Sequence, residues 1–138
     1  MKNKIIISCL CAMSFLTSCS SSITWNNIKE DVTLLQKNGF VLYFDDTEAS
    51  VKEANDLFHT DLIDSGLDFL ITNVYGLYEE DNELNTITFV KFDDKNDANC
   101  VYDLFTNRLS STSGAKHYIF NDILVTSNSN DAIDILGY

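Results

Sequence analysis

A twelve-residue apolar stretch, residues 5–16, follows the basic start Met1-Lys2-Asn3-Lys4 and divides the chain before any fold is considered. A helix that crosses a bilayer needs roughly 20 apolar residues, so this stretch is too short for a permanent span. It has the length of the apolar region of a secretory signal peptide. The two lysines ahead of it favour holding the N-terminus in the cytoplasm while the rest crosses. A buried N-terminal helix would need the basic start, the apolar length and the cysteine that follows to coincide by accident.

Leu16-Thr17-Ser18-Cys19 comes next. This string resembles the lipobox of bacterial lipoproteins, in which an aliphatic residue and two small residues precede a cysteine. Leu16 fills the aliphatic position, and Thr17 and Ser18 fill the small ones. The resemblance implies cleavage between Ser18 and Cys19 and attachment of diacylglycerol to the Cys19 thiol. Small residues fit a protease cleft, and only a thiol forms the thioether. Residues 1–18 are then a lipoprotein signal peptide, 19–23 a lipidated tether containing Ser20-Ser21-Ser22, and 24–138 a single domain. One acyl chain binds membranes marginally and two bind stably. The implied location is therefore the cell membrane, lipid-anchored on its extracytoplasmic face. The resemblance covers about the first twenty residues and is silent on the rest.

Processing at Cys19 would leave 120 of the 138 residues. It removes Lys2 and Lys4 but no acid, so the side-chain charge moves from −12 to −14. Such acidity argues against nucleic acid, whose phosphates need clustered Lys and Arg. Cys9 and Cys11 leave with the signal and Cys19 is acylated, so Cys100 is the only free thiol left. No internal disulfide can then form, even in a compartment that permits one. The domain must hold together by its own core. A chain of this length buries roughly two-thirds of its unfolded surface, which suffices.

Hydrophobic spacing sets the element order. Trp25, Ile28, Val32 and Leu35 share one face of a helix that Thr24 can cap and Gly39 can end. Phe40-Val41-Leu42-Tyr43-Phe44 is apolar throughout and reads as a central strand. Ser50-Val51-Lys52-Glu53 fits a capping box, and Val51, Ala54, Phe58 and Leu62 make the inner stripe of a second helix ending near Ser65-Gly66. Residues 67–78 and 84–92 read as strands around the polar turn 79–83, a hairpin. Asp93 or Asp94 can cap a third helix with Ala98, Val101, Tyr102, Phe105 and Leu109 inside. A loop at 110–115 precedes a second hairpin, 116–120 and 123–127, turning at Asn121-Asp122. Ser129 can cap a short last helix carrying Ala132, Ile135 and Leu136, with Gly137 at its end.

The middle of that order is β-α-β-β-α-β, the split βαβ order. It predicts an α+β fold: a two-layer sandwich with a ferredoxin-like βαββαβ core, an extra N-terminal helix, a C-terminal hairpin and a short helix. Its helices would pack on one face of a mostly antiparallel sheet. A related α+β sheet with another strand order is the alternative.

Candidate chemistry is sparse. Asp93-Asp94-Lys95-Asn96-Asp97 offers oxygens but lacks the glycine turn and twelfth-position Glu of a calcium loop, so helix capping is the better reading. Asp45-Asp46-Thr47-Glu48 reads the same way, and the 79–83 turn reads as a solvated loop. His59 and His117 sit in no zinc-chelating spacing. A Cys100–His117 nucleophilic pair is conceivable, yet Cys100 reads better as a small buried hydrophobe on a helix. Tyr75 and Tyr78 are the pair expected at the surface. No catalytic residue, metal ligand or cofactor is assigned, and the site residues are Cys19 for lipid and Ser18 with Cys19 for cleavage. The sequence thus favours a membrane-anchored, non-enzymatic binding or accessory module, its partner an envelope protein or peptide. The alternatives are a small envelope enzyme or enzyme accessory with a dispersed site, and an acidic domain that binds cations weakly.

Overall fold

A computed structural model of the chain describes residues 23–109 and 114–138. The first helix, α1 (Trp25–Lys37), buries the four expected residues, Trp25, Ile28, Val32 and Leu35. The Asn27 side chain reaches back to the Thr24 backbone N–H at 2.9 Å and fixes the helix start. The chain leaves the helix through Asn38 and through Gly39 at φ +86°, a conformation that favours glycine. Strand β1 (Phe40–Asp45) follows, then helix α2 (Glu48–Asp61). Thr47, not Ser50, caps α2: its hydroxyl accepts from the Ser50 N–H. The capping box expected at Ser50 lies one turn too late, because Asp45 already organises Thr47 and Ser50 around its Oδ1.

A 3₁₀ turn (Ile63–Ser65) and Gly66 end this excursion, and β2 (Ile71–Glu79) and β3 (Asn82–Phe92) form the expected hairpin. Helix α3 (Lys95–Leu104), capped by Asp94, runs on into a π-helical turn (Phe105–Leu109). Strands β4 (Lys116–Phe120) and β5 (Ile123–Ser127) pair without a register shift around Asn121, whose φ is +59°. Helix α4 (Asn130–Leu136) is capped by Ser129 and ended by Gly137. The element order read from the sequence therefore stands, and the class is α+β with an all-antiparallel five-stranded sheet.

The layering and strand order differ from the expectation. The sheet runs β1-β2-β3-β5-β4. β3 and β4 lie parallel with β5 between them, which is one split βαβ unit joined through α3. β1 and β2, by contrast, are adjacent and antiparallel although α2 joins them, so the ferredoxin-like order is absent. The reason is local. Asp46 accepts from the Val74 N–H at 3.0 Å, and Asn55 clamps both backbone groups of Ile71 at 2.9 Å. These bonds bring the chain back into the sheet at the end where it left. β1 is consequently an edge strand, not a central one.

The sandwich has three layers rather than two. On β3, Ile87, Thr88, Phe89 and Val90 are all buried, which requires cover on both faces. Neighbouring strand residues point to opposite faces, and Phe89 and Val90 fall in different cores. Phe89, Ile87, Leu77, Ile123 and Val125 pack under α1 and α4. Val90, Val74, Phe92 and Leu124 pack under α2 and α3 with Ala54, Phe58, Val101 and Phe105. Composition and spacing identify an apolar stripe on each helix but not the sheet face it meets.

Candidate functional site

Leu16, Thr17, Ser18 and Cys19, with Cys9 and Cys11, lie outside the described residues. The described chain starts beside one end of the sheet. Trp25 stacks on Tyr75 at 5.4 Å, and its indole N–H donates to Asp46 Oδ2 at 3.0 Å. Asp46 is itself in the left-handed region at φ +61° and also accepts from Asn73. It thus joins α1 to the start of β2, a structural role that its place in an acidic run did not announce. Among the described residues no helix is long and apolar enough to cross a membrane.

The opposite end of the sheet carries an acidic cleft of about 310 Å³. Its walls include Glu79, Glu80 and Asp81 at the β2–β3 turn and Asp131 and Asp134 on α4, over a floor of Phe40 and Ile135. Among the described residues no Lys or Arg lines it. Glu79 is held by Asn85 at 3.0 Å and by the Ser129 hydroxyl, so its carboxylate already serves the fold. The Asp45 and Asp94 loops are at the other end, where each carboxylate accepts from its own helix start. The acidic loops therefore do not converge on one point. Among the described residues no group of three or more His, Cys, Asp or Glu side chains is placed to hold a metal ion.

Cys100 is exposed, which overturns the buried reading. The inner face of α3 is set by Ala98, Val101 and Phe105, and position 100 lies about 100° around the helix from Val101. Its thiol borders a groove of about 310 Å³ with Asp64, Ser65, Leu67, Asp103, Leu104 and Asn107. No histidine lines that groove. His117 is on β4, its Nδ1 2.8 Å from the Thr126 hydroxyl and its ring 5.5 Å from Phe105. His59 stacks flat on Phe69 at 4.2 Å. The structure thus brings neither histidine to the thiol.

The α2/α3 face of the sheet changes character along its strands. Val74, Val90 and Leu124 lie under the helices. One step further along the strands, Gly76 pairs with Thr88, Thr88 with Thr126, and Thr126 with His117. Tyr43 closes this polar row at the β1 edge. It is the extra residue of a bulge between Leu42 and Phe44. Its ring lies over Gly76 so closely that a Cβ there would sit 2.5 Å from it, and its hydroxyl is 2.7 Å from Thr88 Oγ1. Burial pushes the Tyr43 phenol above its ordinary pKa, against the Thr88 bond, which lowers it. Tyr43, at 43% exposure, is the open tyrosine, while Tyr75 and Tyr78 are half-buried. The bulge that turns Tyr43 onto this face is the signal missed; a continuous apolar strand gives no hint of it.

No protein-family model, no curated protein and no solved structure matches this chain.

Proposed function

We propose that this protein is a bacterial lipoprotein: an exported binding or accessory module held to the extracytoplasmic face of the cell membrane by diacylglycerol on Cys19. One observation carries the reading. A basic start, a twelve-residue apolar stretch and Leu16-Thr17-Ser18-Cys19 stand in that order, and a capped helix begins at Trp25. The apolar stretch is too short to anchor the chain by spanning, and a diacyl group supplies the second chain that stable attachment needs. Both cores are filled by side chains from Ile23 onward among the described residues.

The geometry gives this reading a polarity. From Cys19 to Thr24 is five residues, a reach of at most about 18 Å when fully extended. The Trp25–Asp46 end of the sheet would then stay close to the bilayer. The nine residues of β2 span roughly 30 Å at about 3.3 Å each and end at the acidic cleft, which would face away from the membrane. Shallow grooves and a thiol without an imidazole suit recognition of an envelope protein or peptide better than chemistry on a small substrate.

Metabolic labelling with a clickable fatty acid tests the anchor. Wild-type protein is expected to take the label and Cys19→Ala to lose it. Mass spectrometry of the purified protein is expected to find an acylated Cys19 at the N-terminus. An unmodified sulfur with residues 1–18 still attached would overturn the proposal.

A further inference from the structure

Among the described residues, His117 is the buried polar group that the fold leaves incompletely served. Its Nδ1 meets the Thr126 hydroxyl at 2.8 Å, while its buried Nε2 finds no hydrogen-bond partner among the described residues. Neither tautomer repairs this. If Nδ1 accepts from Thr126, an N–H at Nε2 is buried with nothing to accept it; if Nδ1 donates, the Nε2 lone pair is buried with no donor. Buried polar groups are nearly always paired, and an exception asks for an explanation. The neutral ring tolerates the defect. The protonated ring does not: it carries two N–H groups, finds one acceptor, and must hold a charge beside Phe105.

The position makes that defect consequential. β4 is an edge strand with one sheet neighbour, β5. Phe105, the ring against His117, opens the π-helical turn that ends α3. Such turns recur at functional positions in helices. We propose that protonation of His117 is a switch that releases β4 and the π-helical turn beside it, while the rest of the sheet stays closed.

Among the described side chains, no charged group supplies a competing control. β5, Ile123–Ser127, carries no ionisable side chain. On α3, Lys95 is exposed at the helix start, Cys100 and Asp103 border the outer groove and Asp97 lies near Leu70, which leaves Tyr102, half-buried and packed on the same core. On β4 the neighbour is Lys116, exposed. Arg108 belongs to the π-helical turn in sequence. Burial alone holds the imidazole below its ordinary pKa. The sign follows. An unfolded histidine takes its proton near pH 6.5 and the folded one only at lower pH, so the closed corner weakens as pH falls below about 6.5.

Amide hydrogen exchange on the full-length protein, purified in detergent and corrected for intrinsic rates, reads this out between pH 7.5 and 5. His59→Gln serves as the background, leaving His117 as the one histidine. Protection of residues 105–109 and 116–120 is expected to fall at least tenfold relative to β2 and β3. His117→Phe is expected to abolish the fall. The same fall in His117→Phe, or none in the background protein once its imidazole resonance shows the ring protonated, would overturn the proposal. Should His117→Phe not fold, the imidazole titration in the background protein decides: a midpoint below 6.5 that tracks the loss of protection supports the switch, and a midpoint at or above 6.5 overturns it.

Discussion

The two faces of the sheet are held in different ways. Under α1 and α4 the contact is apolar along the strands, from Phe40 and Leu77 through Phe89 to Val125, and the C-terminal Tyr138 closes it against Tyr118 and Phe120. Under α2 and α3 the apolar rows stop at Val74, Val90 and Leu124, and a row of Gly76, Thr88, Thr126 and His117 begins. One face contributes burial, with polar bonds at its margins such as Trp25 to Asp46 and Tyr138 to Asp31. The other contributes burial over part of its area and offers hydroxyls, an open tyrosine and an imidazole over the rest. Adjacent residues on β3 therefore do different work, and substitutions there separate the two faces.

The largest expected effect is on the apolar face. Phe89 is fully buried, and Phe89→Ala removes a ring that its surroundings can refill only in part. It should cost about 3–5 kcal/mol in urea unfolding. The next residue, Thr88, points the other way and bonds Tyr43. Thr88→Val keeps the shape and loses one hydroxyl, so its cost should stay near 1 kcal/mol. Equal costs at the two positions would break the contrast.

Gly76 sharpens it further. A methyl group there must displace the Tyr43 ring and with it the bond to Thr88. Gly76→Ala should destabilise by about 1–3 kcal/mol, the usual range for overpacking. In a Tyr43→Ala background the space is empty, and the same change should be close to neutral. A double-mutant cycle should therefore show coupling of at least about 0.5 kcal/mol. Additive effects would mean that the ring yields freely.

Helices, strands and turns were legible because their signals are local. The stripe Trp25, Ile28, Val32, Leu35 repeats at helical spacing, and Asn121-Asp122 marks its hairpin. Strand order and layering were not, because they rest on bonds between distant residues: Asp46 to Val74, and Asn55 to Ile71. A polar side chain that clamps a strand looks in sequence like one that faces water. The same holds for the site. Cys100 was misplaced by one position of helical phase, and Tyr43 was concealed by a bulge inside an unbroken apolar run. Leu16 to Cys19, the proposed lipobox, is a contiguous pattern that lies outside the described residues.

The end of the chain tests the apolar face at its margin. The Tyr138 hydroxyl donates to Asp31 Oδ2 on α1 at 2.9 Å. Tyr138→Phe should cost about 1 kcal/mol by removing that bond alone. Burial, against this bond and aided by nearby Glu30, holds the Asp31 carboxyl above its ordinary pKa. Folded Asp31 therefore keeps its proton to higher pH than unfolded Asp31 does. Its contribution to stability is present at low pH and is lost as pH rises through the raised value. Asp31→Asn should remove that slope from a plot of unfolding free energy against pH.

The smallest effect has the opposite sign and belongs to the α2/α3 face. The Asp45 carboxylate accepts from the Thr47 hydroxyl at 2.7 Å and the Ser50 hydroxyl at 2.8 Å, and these bonds hold its pKa below the ordinary value. The unfolded chain binds the proton first, near pH 3.9. Asp45 therefore stabilises the start of α2 above that pH, and the contribution is lost as pH falls through the depressed folded value. The group is exposed, so solvent and salt weaken the effect. Asp45→Asn should flatten the acid limb of the stability curve slightly and leave the Asp31 slope unchanged. If Asp45→Asn altered both limbs, the two faces would share one electrostatic network, and treating them as separate would fail.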